Sequence, residues 1–318
     1  MPNSNVALTP TVSSSSPRSS KPIAPGVSFM TTIFVNLYFL EAGDGSWLLV
    51  DTGLPMQAWR VRATAEALFG SHARPSAIIL THGHFDHAGN ASALAAEWDV
   101  PIYAHPLEMP YLTGQSDYPP QDPTVGGALA QMSRVFPHSG FDFSGRVREL
   151  PADGSVPGLA QWRCLHTPGH TAGHISLFGE RDRVLIAGDA LATVNQESAF
   201  TLMTLERELR QPPATFTTDW GAARTSIDKL ADLRPNVIAA GHGLPITEDA
   251  VAQLERFART FAPPAHGRYV QQPARTDESG VVALPPPVAD PVRNAIIGTT
   301  LAVAAGLLAV QLSKQRRR

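Results

Sequence analysis

The first clear hydrophobic pattern lies in residues 30–53, MTTIFVNLYFLEAGDGSWLLVDTG. Two runs rich in β-branched and aromatic residues flank Gly43-Asp44-Gly45, and this arrangement predicts two β-strands joined by a tight turn. Residues 56–70, MQAWRVRATAEALFG, then place apolar residues at helical spacing and end in a glycine, which can adopt the left-handed backbone that closes many helices. The folded part of the chain is therefore predicted to begin with a β-hairpin and a helix.

A strand followed by a helix recurs downstream. SAIIL at 76–80 is a short, fully apolar run that predicts a buried strand, and Asn90 is a suitable N-cap for a helix over NASALAAEW. Further strands are predicted at PIYAH, VREL, QWRCLHT, HISLFGE, RVLIAGDA and NVIAAG, and further helices at ALAQMSRVF, DWGAARTSIDKLADL and TEDAVAQLERFARTF. The strands fall into two groups, each followed by helices, which favours an α/β fold of two packed sheets with outer helices.

Changes in composition divide the chain into four regions. Residues 1–27 are rich in Ser and Pro and lack acidic residues, which predicts a disordered arm. Residues 28–262 contain the predicted strands and helices and form the predicted domain. Residues 263–294 are rich in Pro, and we expect either a linker or an extension that wraps the domain, because VVAL at 281–284 could add a strand. The fourth region, 295–318, is the carboxyl-terminal tail.

This tail begins with an uncharged segment at 295–312, AIIGTTLAVAAGLLAVQL, and ends in basic residues. As a helix, the segment would be about 27 Å long, barely the hydrocarbon thickness of a bilayer. One hypothesis is a membrane anchor whose direction stays open; the other is an Ala-rich helix packed on the domain. Because the amino end has no apolar core typical of a secretory signal, we expect a cytoplasmic protein that attaches to a membrane through 295–312.

The overall composition excludes several classes of protein. With 43% apolar residues among 318, the chain can build a substantial core. Cys164 is the single cysteine, so no internal disulfide can form. A formal net charge of -3 and a pI near 6.4 argue against a surface that neutralises phosphates, and we expect no nucleic-acid partner.

The densest cluster of candidate ligands is THGHFDHAGN at 81–90, in the loop between a predicted strand and a predicted helix. In an extended segment residues i and i+2 point the same way, so His82 and His84 can reach one point in space. The turn that follows brings Asp86 and His87 to a neighbouring point. Imidazole and carboxylate groups are the ligands expected for zinc, manganese or iron. The loop therefore predicts two adjacent binding positions.

Three distant loops can complete these positions. His170 lies in HTPGHTAGH, Asp189 in VLIAGDA and His242 in VIAAGHGLP, and each follows an apolar strand and is flanked by glycine. Each can therefore place a short side chain at the same rim of the sheets. His166 and His174 bracket His170 and compete with it as candidate ligands, but they lie at the ends of predicted strands, so His170 is favoured.

Over residues 28–262 the sequence resembles the metallo-β-lactamase superfamily of αβ/βα sandwich hydrolases. The resemblance rests on five motifs in the same order: VDTG at Asp51, THGHFDHAGN, TPGHTAGH, AGDA and AGHG. It implies a four-layer fold of two packed mixed β-sheets with outer helices. It also implies a metal-dependent hydrolase that binds a small-molecule substrate, and it assigns a role to each candidate residue.

The implied centre holds two divalent metal ions, with zinc favoured and iron or manganese left open. The resemblance implies that one ion is held by His82, His84 and His170, the other by Asp86, His87 and His242, and that Asp189 bridges both. Asp51 would steady the metal-binding loop without being a ligand. Two metal ions activate a water molecule and polarise the group under attack, so Asp86 and Asp189 are also predicted to be catalytic.

The segment TPGHTAGHIS resembles glyoxalase II and related thioesterases and lactonases. It implies hydrolysis of a small acyl ester, thioester or lactone, although the usual Cys-Gly-Arg element of glyoxalase II is missing after Asp189. Residues 106–145 form a long insert rich in Pro, Gly and Tyr near the expected site. Substrate contacts are predicted for Tyr111, Tyr118 and Met109 in this insert, and also for Asn195. The general acid stays open among His166, Asn195 and Glu197.

Other functions are also considered. A persulfide dioxygenase with one iron held by His82, His170 and Asp189 is the main alternative. It would leave the second position empty, although the ligands for that position are present. A phosphodiesterase or β-lactamase of the same superfamily is a further alternative. A purely structural metal site is disfavoured because such sites are usually rich in cysteine.

Overall fold

The computed structural model describes residues 20–196, 198 and 207–293 of the chain. Within these ranges one sheet has the strand order β1-β2-β3-β4-β5-β6-β7. Its strands are β1 (Lys21–Ala24), β2 (Val27–Thr32), β3 (Val35–Glu41), β4 (Trp47–Val50), β5 (Ala77–Ile79), β6 (Ile102–Ala104) and β7 (Val147–Glu149). Neighbouring strands are antiparallel from β1 to β4 and parallel from β4 to β7. The sheet is therefore mixed, as predicted.

The predicted hairpin around Gly43-Asp44-Gly45 is confirmed, since β3 and β4 pair antiparallel on either side of it. The run before it, however, is two strands and not one. β2 and β3 are separated by Ile33 and Phe34, and Ile33 has a left-handed φ of 60°. Both residues are apolar and give no turn signal in the sequence, so the turn is set by pairing of the flanking strands.

A second sheet has the order β11-β10-β9-β8. Its strands are β8 (Trp162–His166), β9 (Ile175–Gly179), β10 (Val184–Gly188) and β11 (Val237–Ala240), and β10 and β11 are its parallel pair. A separate two-stranded hairpin is formed by β12 (Arg275–Asp277) and β13 (Gly280–Ala283). The strands predicted at 161–167, 174–180, 183–190 and 236–241 are therefore confirmed.

The described residues contain a helix at each of the five predicted places and two short helices, Phe85–Ala88 and Met109–Leu112, that the sequence did not predict. The helices are α1 (Ala58–Phe69), α2 (Phe85–Ala88), α3 (Ala91–Trp98), α4 (Met109–Leu112), α5 (Ala128–Met132), α6 (Trp220–Asp232) and α7 (Ala250–Thr260). Helix α1 ends at Gly70, whose φ is 93°. Asn90 does occupy the N-cap of α3, but it makes no capping hydrogen bond there; its amide donates to the Thr52 and Leu54 carbonyls instead.

The hydrophobic cores show why the elements stack in four layers. One core lies between the sheets and joins side chains such as Leu40 and Val50 to Leu177 and Ile186. Strands β3, β4 and β9 are buried along almost their whole length, because a layer covers each of their faces. A second core packs α1 and α3 on the first sheet, and a third packs α6 and α7 on the second. The αβ/βα sandwich of two mixed sheets with outer helices is confirmed.

Hydrogen bonds also join the two sheets directly beside β11. The Asn36 backbone N–H donates to the Gly241 carbonyl at 2.8 Å. The Asn36 amide donates to Ala240 and Gly243 carbonyls at 3.0 and 2.6 Å. Tyr38 Oη donates to the Ala240 carbonyl at 2.6 Å. Strand β3 therefore fixes the end of β11 and the loop after it.

The predicted arm at 1–27 needs a correction at its carboxyl end. Lys21 and Pro22 pair with β2 residues and form an edge strand; a Pro and an exposed Lys suit such an edge, which the composition alone does not reveal. Residues 1–19 lie outside the described residues.

Residues 263–293 contact the domain, which fits the wrapping alternative better than the linker alternative. Tyr269 Oη donates to the Pro120 carbonyl at 2.7 Å, the Val281 N–H donates to Ser116 Oγ at 3.2 Å, and Arg134 forms an ion pair with Asp290. The predicted membrane anchor at 295–318 lies outside the described residues. Within the described part of the chain, no helix has the length and apolar character needed to cross a membrane.

Candidate metal centre

The HGHFDH loop leaves the end of β5 and runs into the short helix α2. His84 is the extended residue before α2, with φ -63° and ψ 152°. The rings of His82 and His84 have centroids 4.6 Å apart, as their i and i+2 spacing predicts. Asp86 and His87 lie in the first turn of α2, where both are buried. One loop thus supplies side chains to two neighbouring points.

The first ligand group consists of His82, His84 and His170. Each offers one nitrogen, and these atoms lie within 4.8 Å of one another. His84 Nδ1 and His170 Nε2 are 2.9 Å apart, and the ring centroids of His82 and His170 are 4.8 Å apart. The loop after β8 therefore brings His170 to the position predicted for it.

The second ligand group consists of Asp86, His87 and His242, again within 4.8 Å of one another. Asp86 Oδ2 lies 3.9 Å from His87 Nε2 and 3.5 Å from His242 Nε2. His242 follows β11, and its Nδ1 lies 3.0 Å from the Phe34 carbonyl. If Nδ1 carries the proton and donates there, Nε2 is free to face the other two ligands.

Asp189 lies between the two groups. Its Oδ1 is 3.5 Å from His87 Nε2, and its Oδ2 is 3.5 Å from His170 Nε2 and 3.3 Å from His242 Nε2. It also forms a third candidate group with His82 and His87. A single carboxylate can therefore contact both positions, which is the arrangement expected of a bridging ligand.

Unpaired polar atoms show that these residues fit a metal. His82 Nε2, His87 Nε2 and Asp189 Oδ1 are buried and have no hydrogen-bond partner. Buried polar atoms almost always have partners, so three such atoms in one cluster are unusual. Imidazole nitrogens and carboxylate oxygens are the donors that zinc, iron and manganese accept. A metal ion would satisfy all three.

The electrostatics of the first group favour neutral imidazoles. Burial holds the pKa of His82 and His170 well below its ordinary value and lowers the pKa of His84 to about 3. Burial raises the pKa of Asp189, but the neighbouring His242 and His87 outweigh it, and the net pKa lies well below the usual range. Neutral imidazoles and an ionised carboxylate are the forms that bind metals.

Asp51 makes three contacts with the HGHFDH loop and the residue before it. Its Oδ1 accepts the Thr81 N–H at 2.8 Å, and its Oδ2 accepts the Thr81 hydroxyl and faces His87 Nδ1, both at 2.8 Å. A proton on Nδ1 leaves His87 Nε2 available as a ligand. Among the described residues, Asp51 is not a member of any candidate ligand group, in keeping with what the sequence resemblance implies.

His174, which competes with His170 in the sequence, has a different position. Its Nε2 accepts the backbone N–H of Asp189 at 2.9 Å, so Nδ1 carries the proton and faces the Thr167 carbonyl at 3.1 Å. His174 therefore fixes the backbone of Asp189 through this hydrogen bond. His166 is turned away, with its ring stacked on His105 at a centroid distance of 4.1 Å. Neither histidine belongs to a ligand group among the described residues.

Glu108 is a site residue that the sequence analysis missed. Its buried carboxylate accepts the Gly83 N–H and the Tyr118 hydroxyl at Oε2, and the Thr171 hydroxyl and Gly173 N–H at Oε1. Gly83 separates the first two histidine ligands, and Thr171 follows the third. Glu108 thus connects both loops of the first ligand group. HPLEMP resembles no metal motif, so only the folded chain reveals this role.

A cavity of about 570 Å³ opens over the centre. His84, Asp86, His170, Asp189 and His242 form its floor, and most of the other residues that line it are apolar. The lining does not include Tyr111 or Tyr118, which are 1% and 3% exposed and stack on each other. Their predicted substrate contacts are therefore corrected, because the insert folds back and buries both rings.

Three further residues were predicted as substrate contacts or as the general acid, and their outcomes differ. Asn195 lines a smaller neighbouring cavity with Val194 and Gln196, so its predicted role stays a hypothesis. Met109 packs against the helix side of the first sheet and does not line the cavity over the centre. Glu197 lies outside the described residues.

Comparison with known proteins agrees with this geometry. The family described as Metallo-beta-lactamase superfamily matches residues 30–242. The chain is 46% identical over 227 residues to "Probable metallo-hydrolase YflN" of Bacillus subtilis (strain 168), covering 70% of this chain and 86% of that protein. It is 36% identical over 149 residues to a hydroxyacylglutathione hydrolase of Alkalilimnicola ehrlichii, covering 46% of each chain.

A solved structure shows the same fold. The metallo-beta-lactamase SMB-1 bound to 2-mercaptoethanesulfonate matches with a TM-score of 0.50 at 22% identity, covering 77% of this chain and 87% of that chain. Together with the family match over 30–242, this leads to one conclusion: the chain belongs to the metallo-beta-lactamase superfamily.

Proposed function

We propose that this protein is a hydrolase of acyl esters, thioesters or lactones that uses two divalent metal ions, with zinc the first candidate. The observation that carries the proposal is the position of Asp189, which lies within 3.5 Å of histidines from both ligand groups at the floor of an open cavity. A carboxylate shared by both ligand groups supports a single centre with two neighbouring ions and argues against two independent metal sites.

The two ions would be held by the first and second ligand groups, with Asp189 contacting both. When bound, they lower the pKa of a water molecule and polarise the carbonyl group of the substrate. Asp86 and Asp189 both line the cavity floor, so their carboxylates can orient the attacking water and accept its proton. His82 and His87 are fully buried and do not line the cavity, so they exclude bulk water from beneath the site.

The choice of an acyl substrate rests on two similarities. TPGHTAGHIS resembles the corresponding segment of glyoxalase II and related enzymes, and a relative is named for hydrolysis of hydroxyacylglutathione. The persulfide dioxygenase alternative needs one iron and three ligands. The complete second ligand group of Asp86, His87 and His242 supports hydrolysis instead.

Metal analysis combined with a substrate screen tests the proposal. The purified full chain should contain two zinc ions and hydrolyse members of a panel of simple esters, thioesters and lactones. The same preparation should leave β-lactams and phosphodiesters unchanged and should consume no oxygen with a persulfide. One iron ion together with oxygen uptake would instead establish the dioxygenase, and turnover of only β-lactams or phosphodiesters would overturn the acyl assignment.

A further inference from the structure

The wall of the cavity beside the first ligand group is aromatic. Phe216 lies next to His84, with a distance of 5.5 Å between ring centroids. Phe136 joins it at 6.3 Å, and Phe85 joins Phe136 at 5.4 Å. Three phenyl rings from three separate segments thus form a continuous surface that leads away from the candidate ligands.

The opposite wall is also apolar. Phe34 stacks on His242 at a centroid distance of 5.9 Å and an interplanar angle of 25°, and Met30 and Leu244 line the cavity beside it. The apolar surface continues to the solvent, since the lining residues Ile33 and Met132 are 70% and 51% exposed. Both sides of the centre therefore offer apolar contacts from floor to mouth.

The size and charge of the cavity restrict what can fill it. Its volume of about 570 Å³ is in the range that accommodates ligands of drug size. An acetyl group would leave most of the walls without contacts, and unfilled apolar space forfeits dispersion energy. Among the described lining residues, Lys21 and Arg60 are the cationic ones. A charged group placed against the phenyl rings would lose its hydration without gaining a partner.

We propose that the substrate carries an apolar acyl chain of medium length, which lies along Phe85, Phe136 and Phe216 while its carbonyl group lies at the cavity floor. This proposal rests on the proposed hydrolase function and specifies its substrate class. The phenyl rings determine specificity through the apolar area that they bury, so kcat/KM depends on the length of the acyl chain.

A series of p-nitrophenyl esters from acetyl to dodecanoyl tests this. We expect kcat/KM to rise about fourfold for each added methylene and then level off at the cavity mouth, since burying one methylene contributes ~0.8 kcal/mol. Phe136→Ala should lower the decanoyl-to-acetyl ratio of kcat/KM by about tenfold, because a buried phenyl surface is lost. Val135→Ala is the matched control, as Val135 is 84% exposed and does not line the cavity.

Binding of decanoate gives a readout that does not depend on turnover. Decanoate should raise the Tm of the wild type and of Val135→Ala, and much less that of Phe136→Ala. Hydrolysis that is independent of chain length, or equal effects of the two substitutions, would overturn the apolar-chain proposal while leaving the hydrolase intact. If no ester, thioester or lactone is hydrolysed, the proposed function fails, and decanoate binding still decides whether the cavity accepts an apolar chain.

A different observation, the four hydrogen bonds to Glu108, carries a second inference. All four groups around its carboxylate are donors, so both oxygens act as acceptors, as in an ionised carboxylate. We infer that Glu108 is a positioning residue that holds the Gly83 loop and the Thr171 loop at the spacing required by the first ligand group. In Glu108→Gln, the amide NH2 would face one backbone N–H donor and one hydroxyl in place of an acceptor oxygen, and the two loops would separate.

Zinc titration of the metal-free protein against a chromophoric chelator tests this role. We expect Glu108→Gln to weaken one of two zinc sites by about 10- to 100-fold, with the second retained. Tyr118→Phe removes one of the four donors and should give a smaller loss, which provides a test if Glu108→Gln does not fold. Glu97→Gln, at an exposed ion pair with Arg62, should match the wild type.

The outcomes separate positioning from simple stabilisation. A lower Tm with both zinc affinities unchanged would make Glu108 merely structural, and equal weakening of both sites would also contradict the inference. If the wild type itself binds no zinc, the proposed function fails first, and the Glu108 inference fails with it.

Discussion

His87 Nδ1 lies 2.8 Å from Asp51 Oδ2 in the buried interior beneath the metal centre. This contact sets which ring nitrogen of His87 carries the proton, and it leaves Nε2 facing Asp189 and Asp86. A residue outside the candidate ligand groups therefore contacts a candidate ligand and sets which of its nitrogens can face a metal ion.

Asp51→Asn tests this relationship with little backbone disturbance. Asp51 has a left-handed φ of 60°, a conformation that Asn adopts more readily than most residues. We expect metal affinity to fall about 10- to 100-fold, measured by chelator competition, with turnover falling in parallel. Asp44→Asn in the exposed turn before β4 is the control. An Asp51→Asn protein with the metal content and activity of the wild type would contradict the orienting role.

Asp189→Asn tests the shared carboxylate. Asn keeps the size of the side chain but removes the charge that both ligand groups share, so we expect fewer than two metal ions per chain by elemental analysis. Turnover should fall by more than about a hundredfold, since even changing a group that only orients a ligand costs about 10- to 100-fold. Asp228→Asn, at an exposed ion pair with Arg224, should behave like the wild type. Retention of two ions in Asp189→Asn would rule out the bridging role.

Gly241→Ala tests the space behind Asp189. A Cβ atom at this position would lie 2.1 Å from Asp189 Oδ1 and 2.7 Å from His87 Cε1, so both side chains would have to move. We expect loss of metal affinity while the circular dichroism spectrum is retained. Gly43→Ala is the matched control, because a Cβ atom at Gly43 meets nothing within 4 Å. Neither Gly43 nor Gly241 has a left-handed φ, so backbone strain does not distinguish the two variants. Equal metal content in the two variants would refute this prediction.

The carboxyl-terminal extension should be held less tightly to the domain at low pH. The hydrogen bond from Arg134 lowers the pKa of Asp290 to about 2. Because the pKa of Asp290 is lower in the folded protein than in a free chain, the ion pair stabilises docking of the extension fully above about pH 4, the ordinary pKa range of Asp. This stabilisation is lost as the pH falls towards 2. Pepsin cleavage within 263–293 should therefore accelerate over this range.

Asp290→Asn should mimic the acid effect at neutral pH. Trypsin should then cleave at Arg268 or Arg275 a few-fold faster than in the wild type, because partly exposed ion pairs are weak. Asp277→Asn removes a charge in the same extension but keeps Oδ1, which accepts the turn hydrogen bonds from Ser279, and serves as the control. Identical cleavage rates for wild type and Asp290→Asn would show that the ion pair does not hold the extension.

Local spacing made much of the candidate site predictable. The i and i+2 positions of His82 and His84 follow from extended backbone, and glycine-flanked loops after apolar strands place His170, Asp189 and His242. Two packed sheets with outer helices were predictable for a similar reason, because each buried strand and amphipathic helix carries its own periodicity. The four-layer order of the fold was implied only by the resemblance to the metallo-β-lactamase superfamily. These features are encoded over a few neighbouring residues.

Features that depend on distant packing were not predictable. Tyr111 and Tyr118 lie in a polar, Pro-rich insert that indicates an open loop, yet they stack on each other in the interior. Glu108 gains its role only when two remote loops donate to it. Likewise, Phe136 and Phe216 meet only through tertiary structure. A single sequence contains no periodic signal for such contacts.

The bonds from Asn36 and Tyr38 to the end of β11 imply that the two halves of this domain are not interchangeable parts. A chimera that joins the amino-terminal half of one homologue to the carboxyl-terminal half of another would carry every candidate metal ligand. It would still misplace His242 if β3 no longer bonded to the end of β11. Recombination within this scaffold should succeed only where the donors on β3 and their carbonyl acceptors are inherited together.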